Sequence, residues 1–159
     1  MKMYCANASG FYLPDICVLE DEYEQLADVV CASPRATPGI ILLWQELQRA
    51  DIVSRPRPDR VHLGSLVAFT ELRSDVHRAA RIVPPGGGRD ARGLSVASAV
   101  GAALIGLRTG DTFPWLSNAG RRLSVRVESV LPDPRAAERL RADRMAALRK
   151  EVDEILCVR

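Results

Sequence analysis

Apolar and polar positions change period several times within residues 93–115. Leu94 and Val96 flank Ser95 as they do in a half-buried strand. Ser98 is placed to accept the free first-turn N–H groups of a helix. Residues 99–105 are small and apolar, which predicts a helix buried on nearly every side, and Gly106 ends it where a left-handed residue costs least. Arg108, Thr109, Gly110 and Asp111 predict a turn into a strand ending near Trp115.

Upstream, residues 16–19 are a short apolar strand candidate, and Glu20, Asp21, Glu22 and Glu24 then load a helix start with the negative charge its dipole favours. Tyr23, Leu26, Ala27 and Val30 fall on one face of that helix. Residues 33–39, with Pro34, Pro38 and Gly39, break it. A second helix over 40–50 places Ile40, Leu43, Trp44 and Leu47 on one apolar stripe. Together the two predict a short antiparallel hairpin. Pro56 and Pro58 oppose regular structure and mark a linker over 55–58. Strands are predicted over 65–72 and 77–83, followed by a flexible Pro/Gly loop over 84–88. Asp133 and Pro134 open a C-terminal helix over 135–156 whose apolar face carries Ala137, Leu140, Met145, Leu148, Val152 and Ile155. Packing of this face on its own chain and pairing with another copy are both open. Residues 1–14 read as a loosely held leader, 15–54 as strand and hairpin, 59–133 as a sheet domain and 134–159 as the final helix.

The order and spacing of residues 93–115 closely resemble the C-terminal domain of the bacterial Gre transcript-cleavage factors, and still more closely the Rnk proteins, named as regulators of nucleoside diphosphate kinase. Leu43-Trp44-Gln45-Glu46-Leu47-Gln48-Arg49-Ala50 resembles the end of the second Rnk helix, Val61-His62-Leu63-Gly64-Ser65-Leu66-Val67-Ala68-Phe69 its first sheet strand, and Leu123-Ser124-Val125-Arg126-Val127-Glu128-Ser129-Val130 its last. The similarity runs over residues 16–132. It implies an α+β fold: a short helical hairpin, then an antiparallel sheet wrapped on one helix as in peptidyl-prolyl isomerases of the FKBP type. The C-terminal helix is additional to that pattern.

Composition narrows the functional classes. A chain of 159 residues that is 47% hydrophobic buries one ordinary core, and its net charge of +2 gives no overall drive toward nucleic acid. Cys5, Cys17, Cys31 and Cys157 form no C-x-x-C pair and have no metal-ligand spacing with His62 or His77, so reduced structural thiols are expected. No apolar run approaches the ~20 residues of a membrane span, and the start lacks a signal-peptide block, so a cytoplasmic protein is expected. The glycines at 86–88 are followed by no Gly-Lys-Ser/Thr and are not a phosphate loop.

Catalytic chemistry is not expected. Gre factors carry acidic residues at the end of a long hairpin to hold a catalytic Mg²⁺, and hard cations need such oxygens. Residues 32–39 contain no Asp or Glu, and the nearest acid before them is Asp28. A first helix of about ten residues reaches only ~15 Å. Ser65, Ser95, Ser98 and Ser124 have no defensible His/Asp partners, and His77 reads as a surface or hydrogen-bond-satisfied histidine rather than a base. No cofactor or metal site is predicted. What the resemblance implies is a docking surface: Gre-type domains meet a coiled coil of the β′ subunit at the rim of the RNA polymerase secondary channel through the loop and helix start that match Ala97, Ser98, Ala99 and Val100. From the residues alone, Ser98 is a helix cap and Val100 core. Gre factors often have an acid in place of Ala97, and the family often has proline in place of Ala99. The reading is a non-enzymatic transcription regulator that competes with Gre-type factors on polymerase. An interaction module acting on another protein, and a residual proline isomerase, are the alternatives.

Overall fold

The computed structural model describes residues 5–6, 10–87 and 92–157; the side chains of residues 5, 6, 136, 137, 139, 140 and 143 are outside that description. Strand β1 (Cys5–Ala6) pairs antiparallel with β2 (Tyr12–Leu13). Leu13 is buried in the core and the Arg122 guanidinium lies 4.7 Å from the Phe11 ring centroid. Phe11 and Leu13, expected in a loose leader, are therefore packed, because an apolar pair beside Pro14 has core surface to cover, whereas Tyr12 between them is exposed.

β3 (Cys17–Leu19) leads into α1 (Glu20–Ala32), residues 33–37 turn the chain, α2 (Pro38–Arg49) follows, and β4 (Asp51–Val53) then lies parallel to β3. The strand β4 and this pairing were not legible from periodicity, since three-residue strands carry almost none. Thr37 caps α2 by accepting from the Ile40 N–H at 3.3 Å, with Pro38 at the first helical position where its missing N–H costs nothing. Ile40, Leu43 and Leu47 are buried as the stripe predicts, but Trp44 is 51% exposed.

A five-stranded sheet forms the rest of the body. Its strands are β5 (Leu66–Glu71), β6 (Val76–Val83), β7 (Gly93–Ser95), β8 (Thr112–Leu116) and β9 (Arg122–Leu131), in the order β7-β6-β5-β9-β8. The sheet was expected to be antiparallel throughout, but β7 runs parallel to β6. It pairs only with Arg81, Ile82 and Val83, so the connection has to return only about 10 Å along the edge. Helix α3 (Ala99–Leu104) lies between β7 and β8 in the chain, with Ala102, Ala103 and Leu104 buried in the same core as Val67, Phe69, Ile82, Phe113, Val125 and Val127. Gly106 follows at φ +77°, and a Cβ there would come 2.8 Å from Ile16 Cβ. Its carbonyl accepts from Cys17 N–H and from Arg60 Nη1, and its N–H donates to Val61. The left-handed helix end thus joins the first core strand to the entry of the sheet.

Helix α4 (Pro134–Leu156) is capped by Asp133, whose Oδ1 accepts from the Arg135 N–H, and every described side chain of the helix is exposed. Ala137 and Leu140, expected on its apolar face, are outside the described side chains. No helix among the described residues is long and apolar enough to cross a membrane. Cys17, Cys31 and Cys157 are free thiols; Cys5 lies outside the described side chains.

One buried carboxylate ties α1 to the entry of the sheet, and a second helps tie α2 to the chain before β3. Glu22, 4% exposed, accepts from Leu19 N–H at 3.1 Å, from Leu63 N–H, and faces His62 Nδ1 at 3.0 Å. His62 Nε2 accepts from Arg57 N–H at 3.3 Å, which leaves Nδ1 as the donor of the neutral ring. Glu46 takes both Nε and Nη2 of Arg49, whose Nη1 donates to the Pro14 carbonyl at 2.7 Å. Burial pushes the Glu46 carboxyl above its usual 4.5, against the opposing pull of Arg49.

Replacing Glu22 with Ala leaves the N–H groups of Leu19 and Leu63 and His62 Nδ1 without their acceptor, and the unfolding free energy should fall by ~3 kcal/mol in urea titrations. Glu22→Gln should cost less, since its amide oxygen still accepts from one of them. For Glu46 the folded state holds the proton more tightly than the unfolded chain. The ionised group therefore penalises the fold at neutral pH, and the penalty is relieved as pH falls toward the ordinary carboxylate value. Between pH 7 and about 5 the parent should gain stability relative to Glu46→Gln, a difference that paired melting curves measure.

Candidate functional site

Ser98 spends its hydrogen bonds on the fold. Its hydroxyl donates to the Ser95 carbonyl at 2.6 Å and accepts from Gly101 N–H at 3.1 Å, capping α3. The preceding turn is closed by Ala97 N–H, which donates to Ser95 Oγ at 3.1 Å, and by Ser98 N–H, which donates to the Ser95 carbonyl. Ala97, Ser98, Ala99 and Val100 are all half-buried, and Val100 packs against the core. The four residues are contiguous on one loop and helix start, and Ala99, at the first helical position, has no internal role beyond its place in the helix.

The first turn of α2 borders this loop. Gly39 is buried, and a Cβ on it would come 1.9 Å from the Ala97 carbonyl oxygen and 2.7 Å from the Ser98 carbonyl carbon. The α2 start and the α3 start therefore share one surface. In the sequence Gly39 read only as part of the break over 33–39, although a glycine in a helical first turn, where it weakens the helix, is a signal of close backbone approach. Beyond it, Ile41 and Trp44 are exposed on α2.

The turn at 33–37 consists of Ser33, Pro34, Arg35, Ala36 and Thr37, so its one charged side chain is Arg35. Helix α1 has 13 residues rather than the ten expected, a rise of ~20 Å, and Asp28 is exposed on it. Its end does not reach out in front of the sheet, because Gly39, two residues after the turn, is held against Ala97 and Ser98.

The serine and histidine candidates are engaged elsewhere. Ser65 Oγ accepts from His62 N–H at 3.0 Å. On the other face of the sheet, His77 Nδ1 meets Thr70 Oγ1 at 2.8 Å and Thr70 donates to Glu128 Oε1 at 2.9 Å. Arg126 donates to the same oxygen, and these two hydrogen bonds, Arg126 first, hold the Glu128 carboxyl below the usual range. Here the hydroxyl sits between imidazole and carboxylate with its proton committed to Glu128. A nucleophilic triad needs the imidazole in the middle. The cluster instead satisfies the fully buried Thr70.

The contact at Gly39 is the point where a small change should be felt most. Gly39→Ala forces two backbones apart, and thermal unfolding should show a loss of ~2 kcal/mol or more with the far-UV spectrum retained.

Residues 56–132 match the family model described as transcription elongation factor, GreA/GreB, C-terminal. Among solved structures, the prokaryotic transcription elongation factor GreA/GreB from Nitrosomonas europaea aligns with a TM-score of 0.57 at 29% identity, covering 75% of this chain and 99% of that one. GreA factor homolog 1 of Thermus thermophilus aligns at 20% identity over 74% of this chain and 99% of its own, with a TM-score of 0.38. Its Thermus aquaticus counterpart gives 18% identity, the same coverages and a TM-score of 0.39. The search of curated proteins finds no match. Residues 56–132 are thus similar to the C-terminal domain of the GreA/GreB transcription elongation factors.

Proposed function

We propose that the protein is a non-enzymatic transcription regulator that docks on RNA polymerase at the secondary-channel rim and competes with Gre-type factors without stimulating transcript cleavage. One observation carries this reading: the close approach of Gly39 to Ala97 and Ser98 holds the helical turn down beside the docking loop. A Gre factor's cleavage activity rests on carboxylates delivered at a distance by the hairpin end. Here that end carries Arg35 and lies at the loop itself, so the surface suits binding rather than delivery. The β′ coiled coil that Gre-type domains meet would rest on Ala97, Ala99 and the start of α2, with Ser98 and Val100 holding the loop in shape. A second reading, an interaction module for a protein other than polymerase in the manner suggested by Rnk, is favoured by the exposed Ile41 and Trp44, since Trp is enriched where partners bind.

Purified polymerase distinguishes the two. Ala99→Asp places a charge at the first position of α3, where the helix dipole tolerates it, and buries it unpaired in the complex. Affinity for polymerase should fall by ~3 kcal/mol or more with the melting curve little changed. Ser98→Ala should instead lose about 1 kcal/mol of stability and keep its affinity. In backtracked complexes the parent should suppress Gre-stimulated cleavage and add none above the intrinsic rate. Parent-like binding by folded Ala99→Asp, or cleavage that depends on this protein, would overturn the proposal.

A further inference from the structure

Helix α4 lies beyond the family match, which ends at residue 132, and its structure poses a problem that the body does not solve. Met145, Leu148, Val152 and Ile155 recur at alternating spacings of three and four and are all exposed, with Leu156 beside them. That is the a/d spacing of a helix meant to pair, and the stripe is about 15 Å long. Most helices owe their stability to packing of such a face, and this one has no described side chain buried.

Its charges also oppose it as a lone helix. Residues 141–150 carry Arg141, Arg144, Arg149 and Lys150 against one acid, a net of +3, whereas residues 151–156 carry Glu151, Asp153 and Glu154 and no base, a net of −3. The first turn holds Arg135 and no acid, and the last turn holds acids and no base. The macrodipole favours the reverse order at both ends. A charge pattern that costs the isolated helix becomes favourable against a helix of opposite polarity and the same sequence.

We propose that α4 pairs antiparallel with α4 of a second copy of this chain. The two-fold arrangement sets Met145 against Ile155 of the second copy and Leu148 against its Val152, and it lays the basic stretch of each helix over the acidic stretch of the other. Parallel pairing would set like charge on like. The interface is isologous, as a closed dimer requires. A heptad and a half is a short seam, so association is concentration-dependent rather than permanent. The inference does not rest on the polymerase reading, because none of these residues belongs to the docking surface.

Sedimentation of the full chain over a concentration series tests it. The parent should move from monomer to dimer mass, and the dimer should weaken between about 0.1 M and 1 M salt, where the Debye length falls from ~10 to ~3 Å. Leu148→Asp with Val152→Asp should abolish the dimer while the body melts at the parent temperature. Two single-sign variants separate charge pairing from unspecific stickiness: Glu151→Lys, Asp153→Lys, Glu154→Lys in one chain, and Arg144→Glu, Arg149→Glu, Lys150→Glu in the other. Each should be monomeric alone and form dimer when mixed. A parent that stays monomeric throughout, a dimer that survives the two Asp substitutions, or association that tightens with salt would each overturn the proposal.

Discussion

A carboxylate taken out of water must find donors for its oxygens, and in this protein that requirement is met by Glu22 across two elements far apart in the chain. One oxygen closes the first turn of α1 through Leu19, and the pair together reach Leu63 and His62 at the entry of the sheet. Such a group adds little net stability by itself, since its desolvation offsets much of what its partners return. What it does is make one docking of helix on sheet acceptable and any shifted docking costly. Arg49 acts the same way from α2, holding Glu46 and the Pro14 carbonyl at once, and Arg60 holds the carbonyls of Asp15 and Gly106.

With α1 fixed at its start by Glu22 and α2 fixed at its start by the contact of Gly39 with Ala97 and Ser98, the helical pair is attached to the body near both ends. The helical pair therefore lies against the sheet domain. The candidate surface is consequently composite: the loop before α3 supplies its floor, and the first turn of α2 its wall. Gly39 therefore borders the same surface as Ala97 and Ser98.

Helix α4 follows other rules. The body is organised by buried polar groups with specific partners, whereas α4 has an uncovered apolar stripe and a charge pattern arranged against its own dipole. The same chain thus carries one surface shaped by its own core and one apolar stripe that the body leaves uncovered.

Much of the fold was legible in local sequence because the deciding physics is local. Ser98 caps α3, Gly106 ends it in a left-handed conformation, and the strands near 65–72 and 77–83 follow from alternation and turn residues. The helix over 40–50 and the C-terminal helix were likewise readable from their apolar stripes. Tertiary structure decided the rest. Trp44 stands at the rim of its stripe, and only the extent of the opposing surface determines that it is left outside. The parallel pairings of β3 with β4 and β7 with β6 depend on neighbours brought in from elsewhere in the chain, which no period reveals. Glu22 read as one of several acids suited to a helix start; that it is the buried one follows from Leu63 and His62 arriving beside it. The loop from Ala97 to Val100 was identified through a family resemblance, but its partner Gly39 lies far from it in sequence, and backbone contact over such a separation is set only when the helices pack.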